Sequence, residues 1–213
     1  MNGRMMAFVV GIGGGSGSGK SVIADRLRQL LSPLSVEIIN QDRYFRHRDA
    51  LPRHRSPDSE RVWPDYNHPY SFDVHGLRSA LQRERGQRAD VVIVEGILAL
   101  HDGELRSLMD LTLFVETDAD ERIVRRIRRN VAAGHNLDDI CDYYLDSVRH
   151  RHREFCQPTR RHADLVVPGG EHDRARADEL LNEVCERVRA GVTDGRAANG
   201  GGSDAGTLAG KGE

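Results

Sequence analysis

Lys20 and Ser21 close the run Gly14-Gly15-Ser16-Gly17-Ser18-Gly19-Lys20-Ser21, which fits the phosphate-binding pattern G-x-x-x-x-G-K-[ST]. In that pattern the lysine reaches the β- and γ-phosphates of a nucleotide and the hydroxyl ligates Mg²⁺. Glycines let backbone N–H groups wrap closely around phosphate oxygens, because no Cβ intrudes. The chain has 31 Lys plus Arg but only two lysines, Lys20 and Lys211. A sequence that otherwise uses arginine keeps a compact ammonium here, where a planar guanidinium does not fit. Phosphoryl transfer needs further parts: a group to receive a hydroxyl proton, a metal ligand, and cations for the transition state. Asp42 and Glu95 are the candidate carboxylates, the first as proton acceptor and the second as a Mg²⁺ partner. Arg122, Arg126 and Arg129 share one helical face and are the candidate cations. An Asx turn for Asp42, a surface role for Glu95 and a solvated face for the arginines are the non-functional alternatives.

These residues need elements to hold them. Ala7-Phe8-Val9-Val10-Gly11-Ile12 reads as a buried strand, and apolar positions from Ser21 to Leu31 recur at helical spacing. The glycine-rich run therefore lies between a strand and a helix N-terminus, where amides and the helix dipole favour an anion. Asp42 follows a second strand, Val36–Asn40, and Glu95 ends a third, Asp90–Glu95, which is apolar enough to be buried on both faces. Ligands gather at such carboxyl ends in open α/β sheets. Residues 43–71, with Pro52, Pro57, Pro64 and Pro69, read as irregular, and a helix is expected over Phe72–Arg83. Further strands are expected at Leu111–Val115 and Ala163–Val167. Helices are expected from Asp118 or Asp120 to about Val131, from Leu137 to about Arg153, and from Ala175 to Arg189. Strands alternating with helices imply a parallel sheet with right-handed crossovers.

At 213 residues the chain is one domain, expected over 1–190, with a lid at about 120–153. The segment 191–213 holds eight glycines and reads as a disordered tail. A net charge of -2, and aromatics that form no stacking platform, argue against nucleic-acid binding. No apolar run is long enough to span a membrane, and three widely spaced cysteines without C-x-x-C fit a reducing cytoplasm. His150 and His152 are two apart and do not share a helix face, so they do not read as a metal pair.

Several stretches together resemble the uridine kinase family, within the uridine kinase and phosphoribulokinase group of P-loop kinases. They are Gly11 to Ser21, Asn40-Gln41-Asp42, Asn67-His68-Pro69 with Phe72-Asp73, Val94-Glu95-Gly96-Ile97-Leu98-Ala99-Leu100, Phe114 to Asp120 with Arg125-Arg126, Pro158-Thr159 and Ala163-Asp164. The resemblance runs in order over about residues 6–170. It implies an α/β, three-layer P-loop fold with a five-stranded parallel sheet in the order 2-3-1-4-5 and helices on both faces. It implies ATP with Mg²⁺ as donor and a hydroxyl of a small polar molecule as acceptor. By resemblance Asp42 is the general base and Lys20, Arg126 and Arg129 act on the phosphates. Ser21 and Glu95 hold the metal, and Phe45, Tyr66, Asn67, His68, Arg126 and His135 meet the acceptor. Relatives of this kind often assemble, so a homo-oligomer is compatible.

Five departures surround the acceptor side. Asn67 stands where an aspartate grips ribose hydroxyls; an amide lacks the carboxylate's charge-assisted hydrogen bonds. A base-contacting hairpin between the Phe72–Arg83 helix and the third strand is missing. An expected Arg-Gly-Arg reads Ala133-Gly134-His135, an expected Gln reads Tyr143, and Pro-Arg-Gly becomes Pro168-Gly169-Gly170. These departures point to an acceptor other than plain uridine, such as a sugar or modified nucleoside. The arginines of 43–61 add a sugar-phosphate kinase as an alternative. A nucleotide-sensing module without transfer is the other; a GTPase is disfavoured because no Asn-Lys-x-Asp occurs.

Overall fold

A computed structural model describes residues 6–200 except 88 and 171. Five parallel strands form the central sheet: β1 (Phe8–Gly14), β2 (Val36–Asn40), β5 (Val91–Glu95), β6 (Leu111–Glu116) and β7 (Leu165–Pro168), in the order β2-β5-β1-β6-β7. That is the expected 2-3-1-4-5 arrangement. β5 and β1 are central and almost wholly apolar, as strands covered on both faces must be. On one face Val10, Ile12, Ile93, Leu113 and Val115 pack against Ile23 and Leu27 of α1 (Lys20–Leu30) and Leu181, Val184 and Val188 of α7 (Arg174–Gly200). On the other, Val9, Val92 and Val94 meet Leu77 and Leu81 of α2 (Val74–Arg85) and Leu105 of α3 (Gly103–Arg106). The molecule is thus three layers, helix, sheet and helix, and both cores are continuous aliphatic surfaces.

Two expectations are corrected. The stretch 43–71 is not wholly irregular, because β3 (Arg53–Arg55) and β4 (Val62–Pro64) pair antiparallel as a short hairpin. The segment 191–200 is helical: α7 runs to Gly200 because Val188 and Val192 remain buried in the core and Arg189 donates to the Leu30 carbonyl at 2.6 Å. The rest of the expected tail, 201–213, lies outside the described residues. The segment expected as a lid, about 120–153, lies in α4 (Ala119–Ala132) and α5 (Leu137–Tyr143), followed by a stretch of widened turns with α6 (Arg149–Arg151) inside it that runs on to Cys156. Among the described residues no helix is long and apolar enough to cross a membrane.

Candidate active site

Parallel pairing sets the site. Register places Ile12, Asn40 and Glu95 side by side at the carboxyl ends of β1, β2 and β5. The chain leaves β1 through the glycine-rich loop and enters α1 at Lys20, and no side chain caps that helix start. Its first amides are therefore free for an anion. Gly17 adopts φ 81°, and a Cβ there would lie 2.6 Å from the Arg122 carbonyl, so the loop and α4 approach as only glycine permits.

A cavity of about 670 Å³ opens over this loop. Ser16, Gly17, Gly19, Lys20 and Ser21 belong to its lining. Asp42, Phe45, Tyr66, Asn67, Glu95, Ile97 and Tyr143 line one part, and Arg26, Pro168, Gly169, Gly170 and Arg174 another. Arg126 and Arg129 also border it. Candidate proton acceptor, metal ligands, lysine and arginines therefore share one space, although they come from four separate elements: α1, the turn after β2, β5 and α4.

Ser21 Oγ donates to Glu95 Oε1 at 2.9 Å, and Asn40 Nδ2 donates to the same oxygen at 2.6 Å. Burial pushes the Glu95 carboxyl above its ordinary value, against the pull of Lys20 and the Ser21 hydroxyl. Burial also lowers the Lys20 ammonium, whose Nζ donates to the Gly15 carbonyl at 2.9 Å. An exposed Asp42 has its backbone N–H held by Asn40 Oδ1 at 2.6 Å, and its charge is felt at both Lys20 and Glu95. Gln41 beside it is buried, and its Oε1 accepts from Leu98 N at 2.9 Å, which pins the turn after Glu95. Arg126 and Arg129 converge on Ser16 Oγ at 3.1 and 3.5 Å.

Other expected residues fall elsewhere. Neither Gly14, Gly15 nor Ser18 lines the large cavity. Gly14 ends β1, Gly15 faces a small second gap, and Ser18 is buried with its carbonyl accepting from Thr117 Oγ1 at 3.0 Å. Arg122 is buried beneath the loop, Nε donating to Thr117 O at 3.0 Å, and does not join Arg126 and Arg129 in the cavity. His68 and His135 are corrected as acceptor contacts. The His68 ring caps Tyr70 N at 3.1 Å and packs on Phe155 at 4.8 Å, while His135 is exposed on the turn after α4. His150 turns to Asp58 and His152 to Gln157. Sequence reasoning left Arg125 without a role of its own. Its Nη1 donates to the carbonyls of Gly169 at 2.9 Å and Gly17 at 3.3 Å, stitching the loop after β7 to the phosphate loop. The dense Arg run of α4 was the available signal.

A profile of the phosphoribulokinase / uridine kinase family matches residues 60–175, more than half of the chain. The chain belongs to that family. It is therefore an ATP-dependent kinase that transfers phosphate to a hydroxyl. It is 36% identical over 200 residues to a uridine kinase of Brevibacillus brevis, covering 83% of this chain and 91% of that one. It is 35% identical over 211 residues to a uridine kinase of Limosilactobacillus reuteri, covering 87% and 94%. A solved protein from Silicibacter sp. TM1040, provisionally named a fructose transport system kinase, superposes with a TM-score of 0.51 at 22% identity over 79% of this chain and 93% of that one, which speaks for the fold. These relatives give no support to the expectation that plain uridine is excluded. The connection from Arg85 to Val91 is short, as expected, and Pro64 of the hairpin β3–β4 accepts from the hydroxyl of Tyr143, which lines the cavity.

Proposed function

We propose that this kinase phosphorylates a hydroxyl of a ribonucleoside, with uridine the first acceptor to test. The observation that carries the reading is the convergence of Asp42, Lys20, Glu95 and Arg126 on one cavity floored by the phosphate loop. Phe45, Tyr66, Ile97 and Tyr143 give its acceptor part apolar and aromatic surface suited to a planar ring, while Asn67 offers an amide to sugar hydroxyls. Of the six arginines between 43 and 61, none lines the cavity. The sugar-phosphate alternative therefore loses its motive, and the relatives' names favour uridine.

In the proposed reaction the acceptor oxygen attacks the γ-phosphorus of ATP, the bond from that phosphorus to the β-bridging oxygen breaks, and ADP leaves. Asp42 receives the hydroxyl proton as the new bond forms. Free amides at the start of α1 and the Lys20 ammonium hold the β- and γ-phosphates. Arg126 and Arg129 offset charge on the transferring group, moving their donors from Ser16 to phosphate oxygens. Ser21 and Glu95 are two hard oxygen donors within 2.9 Å, which suits Mg²⁺, an ion that keeps several waters and takes few protein ligands. When bound, that ion would neutralise charge on the β- and γ-phosphates.

ADP release measured with ATP, Mg²⁺ and a panel of uridine, cytidine and neutral or phosphorylated sugars tests the reading. Turnover of uridine or cytidine well above the sugars is expected. Preference for a sugar phosphate, or no transfer to any acceptor, would overturn it.

A further inference from the structure

The hairpin β3–β4 contributes no side chain from 53–63 to the cavity, yet the lid invests a buried carboxylate in holding it. Asp146 is 4% exposed. Its Oδ1 accepts from Ser56 Oγ at 2.9 Å, its Oδ2 from Trp63 Nε1 at 3.0 Å, and its backbone carbonyl from His54 Nε2 at 2.9 Å. Two surface contacts flank this hub: Arg61 pairs with Asp142, and Asp58 pairs with Arg149 at 2.6 Å and His150 at 2.9 Å. Burial opposes charge on Asp146, but the hydrogen bonds from Ser59, Trp63 and Ser56 outweigh it and leave the carboxyl below its ordinary value. Surface pairs alone contribute little, whereas a buried carboxylate satisfied by several donors specifies one arrangement.

Tyr143 lies one helical turn before Asp146 and faces the cavity. Its hydroxyl accepts from Tyr66 N and Asn67 Nδ2, both at 3.2 Å, and donates to Pro64 O at 3.2 Å. The Tyr143 ring packs edge-on against Trp63 at 5.5 Å and carries the Arg126 guanidinium over its face at 5.7 Å. A continuous path therefore runs from the hairpin through Trp63 and Asp146 to Tyr143. There it divides, to Asn67 in the acceptor part and to Arg126 at Ser16.

We propose that Asp146 and Trp63 are positioning residues which seat Tyr143, and that Tyr143 ties the acceptor loop 64–67 to the phosphate-contacting Arg126. The proposal rests on the nucleoside reading for its acceptor, but the clamp itself does not. Filling the acceptor part presses on Asn67 and Tyr143, and so bears on Arg126 through the ring beneath it. ATP alone meets the other parts of the cavity and has little stake in the hairpin.

Asp146→Asn keeps the volume and removes the charge, while Tyr143→Phe removes one hydroxyl and keeps the ring under Arg126. Each is expected to raise the KM for uridine about fivefold to tenfold, the effect of about one lost hydrogen bond. The KM for ATP should stay within about twofold, because both variants keep the Tyr143 ring under Arg126, and Lys20 and the loop amides still hold the phosphates. Tyr143→Phe should do this with a Tm loss of only about 2–4 °C, the size of one lost hydrogen bond. An unchanged uridine KM in both variants overturns the proposal, as does an equal rise in both KM values. Trp63 is the only tryptophan of the chain and gives a readout that needs no turnover. In the absence of substrates its emission should shift to the red, and be quenched more readily by acrylamide, in Asp146→Asn than in the parent. Identical spectra and quenching overturn the clamp. No uridine turnover in the parent, with the Trp63 shift present, overturns the nucleoside reading and the coupling to it, and leaves the clamp standing.

Discussion

Ser21 Oγ, at the start of α1, donates to Glu95 Oε1, at the end of β5, across 2.9 Å, and Asn40 Nδ2 adds a second donor to that oxygen. Two neutral donors and Lys20 do not restore the solvation that burial removes, so the carboxyl is raised. A raised carboxyl contributes to stability at acid pH, where it holds its proton, and that contribution is lost as pH rises through its folded value. Glu95→Gln keeps an oxygen for both donors and removes the charge. Its Tm without ligand should exceed the parent's at pH 7–8, with the gap closing as pH falls into the carboxylate range. At the same time its activity should drop about 10–100-fold at limiting Mg²⁺, as outer and inner metal partners generally show. Thermal melts across pH and a Mg²⁺ titration of turnover check both halves.

Arg126 and Arg129 rest on Ser16, a neutral hydroxyl, at 3.1 and 3.5 Å. Burial lowers the Arg126 guanidinium. A desolvated cation held by a weak acceptor is ready to transfer to an anionic one. Arg126→Ala should lower kcat by about 10²–10³-fold, the usual loss for one preorganised donor. ATP affinity, measured by calorimetry, should fall far less, because Lys20 and the loop amides remain.

The phosphate loop and the strands around it were legible because each is a local statement. Gly-Lys-Ser after an apolar run needs no distant partner to be read, and Val91–Glu95 is apolar throughout because both faces are covered. Asp42 and Glu95 were legible as strand ends. The hairpin was not, since Arg53–Arg55 and Val62–Pro64 lack alternation and are held by Asp146, some 80–90 residues away. His68 and His135 came from resemblance, which gives a position in the chain and not the direction of a ring. His68 turns to cap Tyr70, and His135 follows a Gly134 with positive φ out into solvent. For 191–200 glycine content outweighed one buried valine, Val192, and the helix continues past it.

His152 lies beside the phosphate loop, and burial, with Arg122 next, lowers its imidazole from 6.5 to about 4. A depressed histidine contributes stability above its unfolded value that is lost as pH falls from about 6.5 through about 4. Replacing it by Gln, which keeps a polar contact to Gln157 and cannot ionise, should flatten that part of the Tm–pH curve. Melts of parent and His152→Gln between pH 4 and 7 compare the slopes. Equal slopes would show that His152 does not drive the acid limb.

Cys156 lies buried under the loop, and burial raises its thiol to about 11. Cys185 is also buried and raised, and Cys141 is half-buried. At pH 7.5 an alkylating reagent should modify Cys141 first and leave Cys156 and Cys185 protected until denaturant is added. Mass spectrometry after timed quenching reads this directly. Early labelling of Cys156 would mean that the helix carrying it opens away from the loop.

The role proposed for Asp42, receiving the acceptor's proton beside bound ATP, has a direct test. The direct measurement is uridine phosphorylation with ATP and Mg²⁺ by the parent and by Asp42→Asn, alongside ATP binding to each. Turnover is expected in the parent, with a loss of about 10²–10⁴-fold in the variant and ATP affinity unchanged within about twofold. Equal turnover in the two proteins would contradict it.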